Sequence, residues 1–233
     1  MNKYKFILFA LYSTVRTLMI LNIFLLSILL LVQPYIRNNN LWIFIFRGNS
    51  EDELNEGIFN VPGMYILILF LAIYLCHKLI STIYQYYINE WYLLLNNVNR
   101  WLLIIFITFL FASIYIADLL IIYCILDVDH IVNVAHAFCL FLGIFSLMNI
   151  YILLYIRYKF HIAFMTCLTW IIVTTRYSFD YNPLNMTLIS RMDDMLSIYL
   201  YSYCLFITAI FVILFLVLQK DIYLKFQRGD EHL

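Results

Sequence analysis

Four ionisable side chains interrupt otherwise apolar runs of this chain: Arg16, Lys78, Asp118 and His136. Charge in hydrocarbon is costly, so such groups pair with one another, face protein or water, or reach an interface, and each is a candidate for function. Asp118 and His136 flank the short connection from Leu126 to His130 at similar separations. An antiparallel helix pair would set them at one level in the outer half of the bilayer. A carboxylate and an imidazole so placed can relay a proton or satisfy one another, and a relay needs a further chain of polar groups. The two side chains are therefore expected within hydrogen-bond reach, or sharing a water. Arg16 lies ten residues into the first apolar run and Lys78 ten before the end of the second, which puts both in the inner half. Their long stems allow the charges to snorkel to the inner surface. Alternatively they hold an anionic phospholipid head group, cardiolipin included, or a carboxylate of a neighbouring membrane subunit.

Other chemistry is poorly represented. Cys76, Cys124, Cys139, Cys167 and Cys204 all fall within apolar runs, with no CxxC pair and no histidine cluster at zinc spacing, and read as small buried apolar residues. His77, His130, His136, His161 and His232 offer no matched pair for haem. Nucleophile, Walker, Rossmann and zincin motifs are absent, so no catalytic residue, metal ligand or cofactor is assigned. The acids between Gly48 and Gly57 lack calcium-loop spacing and read as a solvated acidic loop. A formal net charge of zero argues against a nucleic-acid partner.

The elements that must position these residues follow from composition. With 65% hydrophobic and 12% charged residues, including 20 Phe and 20 Tyr in 233, the chain carries more apolar surface than a water-soluble domain of this size can bury. Lipid is the main solvent, and the fold expected is all-α: a single polytopic membrane domain over residues 1–233. Six spans are predicted: Phe6 to Val32, Pro62 to Ile88, Trp101 to Ile125, Ile131 to Ile156, the short Phe160 to Thr175, and Leu196 to Leu218. Pro62 suits a helix start, where its missing N–H would have been unpaired anyway. The side holding the N-terminus carries eight basic residues and four acids, and the other side four basic residues and nine acids. This asymmetry puts both termini in the matrix or cytosol. Between the first two spans, Leu41 to Phe46 is too short to cross and is expected at the interface. The outer loop from Arg176 to Met195 contains Asn185-Met-Thr187, a formal glycosylation sequon that would suit a secretory-pathway protein. Trp42, Trp91 and Trp101 sit near span ends, as interfacial belts favour.

Phe, Tyr, Ile, Leu and Asn are abundant while Ala, Gly and Pro are scarce, a bias common in organellar genomes and found also in AT-rich nuclear ones. The N-terminus passes almost at once into apolar sequence without the character of an import presequence. Asn96-Asn-Val-Asn-Arg100, Ile131 to Leu142 followed by Met148-Asn-Ile150, and the stretch from Met195 through Tyr199, Tyr201 and Tyr203 to Gln219-Lys-Asp carry a resemblance. Over about residues 96–233 the chain resembles the sixth membrane subunit of mitochondrial NADH dehydrogenase, respiratory complex I. It reads Asn133-Val-Ala-His136 where that family has Tyr-Val-Gly-Ala, and Asn97 where the family has proline. The resemblance implies a place beside proton-pumping subunits, with the helix around Asn133 to His136 coupling quinone chemistry to the membrane arm. The function expected is a non-catalytic subunit of a respiratory-chain complex in the mitochondrial inner membrane. Its partners would be other membrane subunits and phospholipid. The alternative is a stand-alone channel, receptor or transporter of the endoplasmic reticulum or plasma membrane. Reporters fused to the two ends of the chain should both read out on the matrix or cytosolic side of intact membranes; opposite readouts would remove the even number of crossings.

Overall fold

The computed structural model describes residues 3–32, 34, 40–90, 97–127, 132–158, 160–177 and 182–192. They form α1 (Lys3–Val32), α2 (Leu41–Phe46), α3 (Glu51–Asn55), α4 (Gly63–Glu90), α5 (Asn97–Leu126), α6 (Val134–Arg157) and α7 (Phe160–Arg176), then 3₁₀ turns at Asn185–Thr187 and Ile189–Arg191. Among the described residues there is no strand. Stretches of α1, α4, α5 and α6 are long and apolar enough to cross a membrane, at Tyr12–Val32, Gly63–Ile83, Ile104–Leu126 and Val134–Arg157. The predicted sixth span, Leu196 to Leu218, lies outside the described residues, as do the resembling residues beyond Met192.

Helix starts are set by individual side chains. The Pro62 carbonyl accepts from the Ile66 N–H at 3.0 Å, so α4 begins directly after the proline. Asn133 accepts from the N–H groups of Ala135 and His136 and holds the start of α6 to Val134, three residues later than the hydropathy suggests. Asn40 caps α2 in the same manner, and Ser50 with Glu53 forms a capping box on α3 within the acidic loop.

The core is built around α6, which packs on α4, α5 and α7, while α1 packs on α4 and α5. Residues Gly143 to Asn149 of α6 are buried without interruption, so the middle of this helix is enclosed on all sides. By contrast only 17% of the α1 span is buried, against 61% of that of α6. Hydroxyls inside the bundle are met locally or across helices, as a hydrocarbon surrounding requires. Thr108, Ser113, Ser146 and Thr174 donate to carbonyls four residues back. Tyr115 donates to the Ile68 carbonyl at 2.7 Å and ties α5 to α4.

One end of the bundle is closed by chain outside the spans. Here α2 buries Leu41, Trp42, Ile45 and Phe46, so it is docked on the helices and only Ile43 and Phe44 are exposed. Residues 182–192 also turn inward, with Leu184, Met186, Thr187 and Leu188 almost fully buried. Within the outer loop predicted between Arg176 and Met195, residues 182–192 are thus packed into the end of the bundle. Two glycines permit the closure: Gly48 sits at φ +65° where a Cβ would press on Leu188, and a Cβ on Gly143 would collide with Thr187 Cγ2. Gly143→Ala is expected to destabilise the bundle by about 1–3 kcal/mol through overpacking, and Thr187→Ser in the same chain to recover most of it, both read by thermal unfolding in detergent.

Candidate functional site

The closed end holds the densest polar network among the described residues, with Arg191 at its centre. The side chain is 8% exposed. Its Nη1 donates to the carbonyls of Thr174 at 2.6 Å and Tyr177 at 3.3 Å and to Asn185 Oδ1 at 2.9 Å; Nη2 donates to the Thr175 carbonyl at 3.1 Å, and Nε to that of Asn49 at 3.1 Å. The guanidinium therefore satisfies the last carbonyls of α7, which no further turn of helix would meet, and a cation at that end also complements the helix dipole. Asn49 in turn clamps the loop around α3, its amide bonding both the N–H and the carbonyl of Asn60. The Ser190 N–H donates to the Arg47 carbonyl at 3.0 Å, joining the same two segments.

His136 belongs to this network. Trp42 Nε1 donates to its Nδ1 at 2.8 Å, which makes Nδ1 an acceptor and leaves the ring proton on Nε2, donated to the Thr187 carbonyl at 3.0 Å. The Trp42 ring stands edge-on to the imidazole, 5.7 Å between centroids. Thr187 also meets the Tyr65 hydroxyl at 2.8 Å. Both ring nitrogens of His136 are thus engaged, and neither is left to ligate a metal or pass on a proton.

The expected Asp118–His136 pair is not formed. Asp118 Oδ1 accepts from Asn22 Nδ2 on α1 at 2.8 Å, whereas both nitrogens of His136 bond elsewhere. The cause is depth: His136 lies two residues into α6, but Asp118 is eight residues from the end of α5, roughly 9 Å deeper at ~1.5 Å per residue. Lys78 is half-buried and its Nζ donates to Thr17 Oγ1, beside Arg16, so the two cations do share a level. Arg16 itself is exposed on α1.

Several residues of consequence were not legible as such. Arg191 counts in the sequence as a loop base, and Asn185 as a sequon; the sign overlooked was the apolar content of Pro183 to Met192. Asn185 is 3% exposed, so the sequon amide is a buried part of the fold. His77 is half-buried and accepts or donates at 2.8 Å with the Tyr151 hydroxyl, its ring 4.2 Å from that of Phe160. Of the cysteines, Cys76, Cys139 and Cys167 are buried and Cys124 exposed, all as free thiols, and Cys204 lies outside the described residues. Among the described residues no three His, Cys, Asp or Glu side chains come together as a metal site would require. A small cleft between α1, α2, α4 and α5 is lined by apolar groups such as Leu25, Leu29, Phe46 and Leu119.

Compared with known protein families, curated proteins and solved structures, the chain matches none. Its geometry is that of a helical membrane protein whose polar groups mostly bind helix to helix and helix to cap. Arg191→Met should leave several buried carbonyls unpaired at ~1–3 kcal/mol each, lowering stability by several kcal/mol and exposing residues 182–192 to protease. Arg191→Lys should fall between, because an ammonium cannot fork to the same acceptors.

Proposed function

We propose that this chain is a non-catalytic integral membrane subunit of a respiratory-chain complex in the mitochondrial inner membrane, in the membrane arm of complex I or as an accessory subunit of a supercomplex. The observation that carries the non-catalytic reading is that the polar side chains of the closed end are spent on internal contacts, with both nitrogens of His136 and all three nitrogens of the Arg191 guanidinium engaged. What the described spans offer to their surroundings is, apart from Arg16, mostly apolar: Met19, Ile20, Ile23 and Phe24 on α1, and Leu102, Phe106 and Ile121 on α5, are exposed. Such surface suits lipid or the spans of neighbouring subunits. The respiratory assignment rests on the organellar type of composition and on the resemblance of residues 96–233 to the sixth membrane subunit of complex I.

In this reading the chain crosses six times, with Leu196 to Leu218 as the last span, both termini in the matrix and the closed end outside. Arg16, exposed, and Lys78, held near it by Thr17, then face the matrix-side half of the bilayer and attract anionic phospholipid, cardiolipin included. At 17 residues α7 spans only ~25 Å, somewhat less than a ~30 Å hydrocarbon layer, and the carbonyls left short of the surface are those that Arg191 meets. The burial of Asn185 speaks against a glycosylated protein of the secretory pathway.

The test is gentle solubilisation of native membranes, native-gel separation and mass spectrometry of the bands. Comigration with respiratory complexes at high mass, with no mass shift on glycosidase treatment, is the result expected. Migration as a free protein, or a glycosidase-sensitive mass, would overturn the reading in favour of a stand-alone channel, receptor or transporter.

A further inference from the structure

Among the described spans, Asp118 alone keeps a buried side-chain oxygen without a hydrogen-bond partner. Asn22 stands ten residues from either end of the span Tyr12–Val32, and Asp118 eight residues from the end of Ile104–Leu126, so the two meet well inside both spans, where α1 and α5 half-bury each other. Asn22 Nδ2 donates to Oδ1 at 2.8 Å, while Oδ2 is shielded and has no hydrogen-bond partner. Among the described residues no cation is paired with it. From α5 itself, Tyr115, three residues earlier, gives its hydroxyl to the Ile68 carbonyl; α6 meets α5 with Phe141 and Phe145 against Phe109, and its ionisable His136 is bonded to Trp42 and Thr187. Among the described residues the one ion pair is Arg47 with Glu53, far along the chain at the closed end.

An ionised carboxylate with one oxygen shielded and undonated costs several kcal/mol in such a setting, whereas a neutral acid leaves only an unpaired hydroxyl. Asn22 is a neutral donor and does not need the acid to be charged. The geometry points to Asp118 as an intramembrane proton-binding site, held as the neutral carboxylic acid with Asn22 as its fixed donor. Helix α1, otherwise weakly embedded, is thereby attached at its middle through a bond whose strength depends on the state of that proton.

The proton can be read directly in the protein as isolated from its membrane assembly. Dicyclohexylcarbodiimide adds only to protonated carboxyls: the acid proton moves to one nitrogen, the carboxyl oxygen bonds the central carbon, and acyl migration to nitrogen leaves a stable N-acylurea with no group lost. Peptide mapping should find this adduct on Asp118 at neutral pH, with labelling falling as the medium is made alkaline. Infrared spectra should show a protonated-carboxyl C=O band that Asp118→Asn removes and Asn22→Leu, which keeps the acid, shifts. The band decides the matter if packing excludes the reagent. A carboxylate band removed by Asp118→Asn, or an Asn22→Leu spectrum without any shift in a protonated-carboxyl band, would overturn the assignment.

Discussion

The closed end of this protein depends on a single guanidinium. Arg191 reaches the end of α7, the Asn49 loop and Asn185 together, from within a segment that is itself mostly apolar. Buried carbonyls need donors, and no second helix turn or water is needed where a planar fork of five N–H groups is available. Because Thr187 stands four residues earlier, in the preceding 3₁₀ turn, the position that Arg191 fixes also sets the contacts with Tyr65, His136 and the bare backbone at Gly143. Residues 182–192 thus act as a plug whose apolar side chains fill the bundle and whose polar groups finish the helices around it.

A different logic holds the opposite flank. Helix α1 buries little surface, and the polar bonds it makes to other helices, Asn22 to Asp118 and Lys78 to Thr17, fall on two levels. In a bilayer, where lipid tails compete equally with apolar side chains for contact, such bonds fix the rotation and height of a helix more firmly than its leucines can. The two flanks therefore differ in character: one is closed by packed backbone and a buried cation, the other by isolated, half-buried side-chain contacts between helices.

Hydropathy made the helices legible because its signal is summed over twenty or more residues, and four of the predicted runs coincide with long apolar helices within a few positions. Single-residue effects were less visible. Asn133 delays α6 by three residues, which is enough to separate His136 from Asp118 in depth, although their places either side of the connection look symmetrical. Equal distance from a turn also says nothing about which face of each helix is presented, and here the faces are chosen by α1 for Asp118 and by α2 for His136. The apolar content of Pro183 to Met192 hints that residues 182–192 turn inward, but the run itself does not name its partners, since Asn49 and Tyr65 lie more than a hundred residues away.

That separation has a consequence for biogenesis. The contact between Arg191 and Asn49 bridges 142 positions of chain, and those of Thr187 and Leu184 with Tyr65 bridge 122 and 119. Helices α1 to α7 have all left the ribosome before the plug exists, and until it does the end of α7 and the face of Gly143 remain open. The closed end is the last part of the described structure that can assemble, so a chain halted before residue 191 would hold inserted helices with their common end unsealed, a state that quality control in the membrane could recognise.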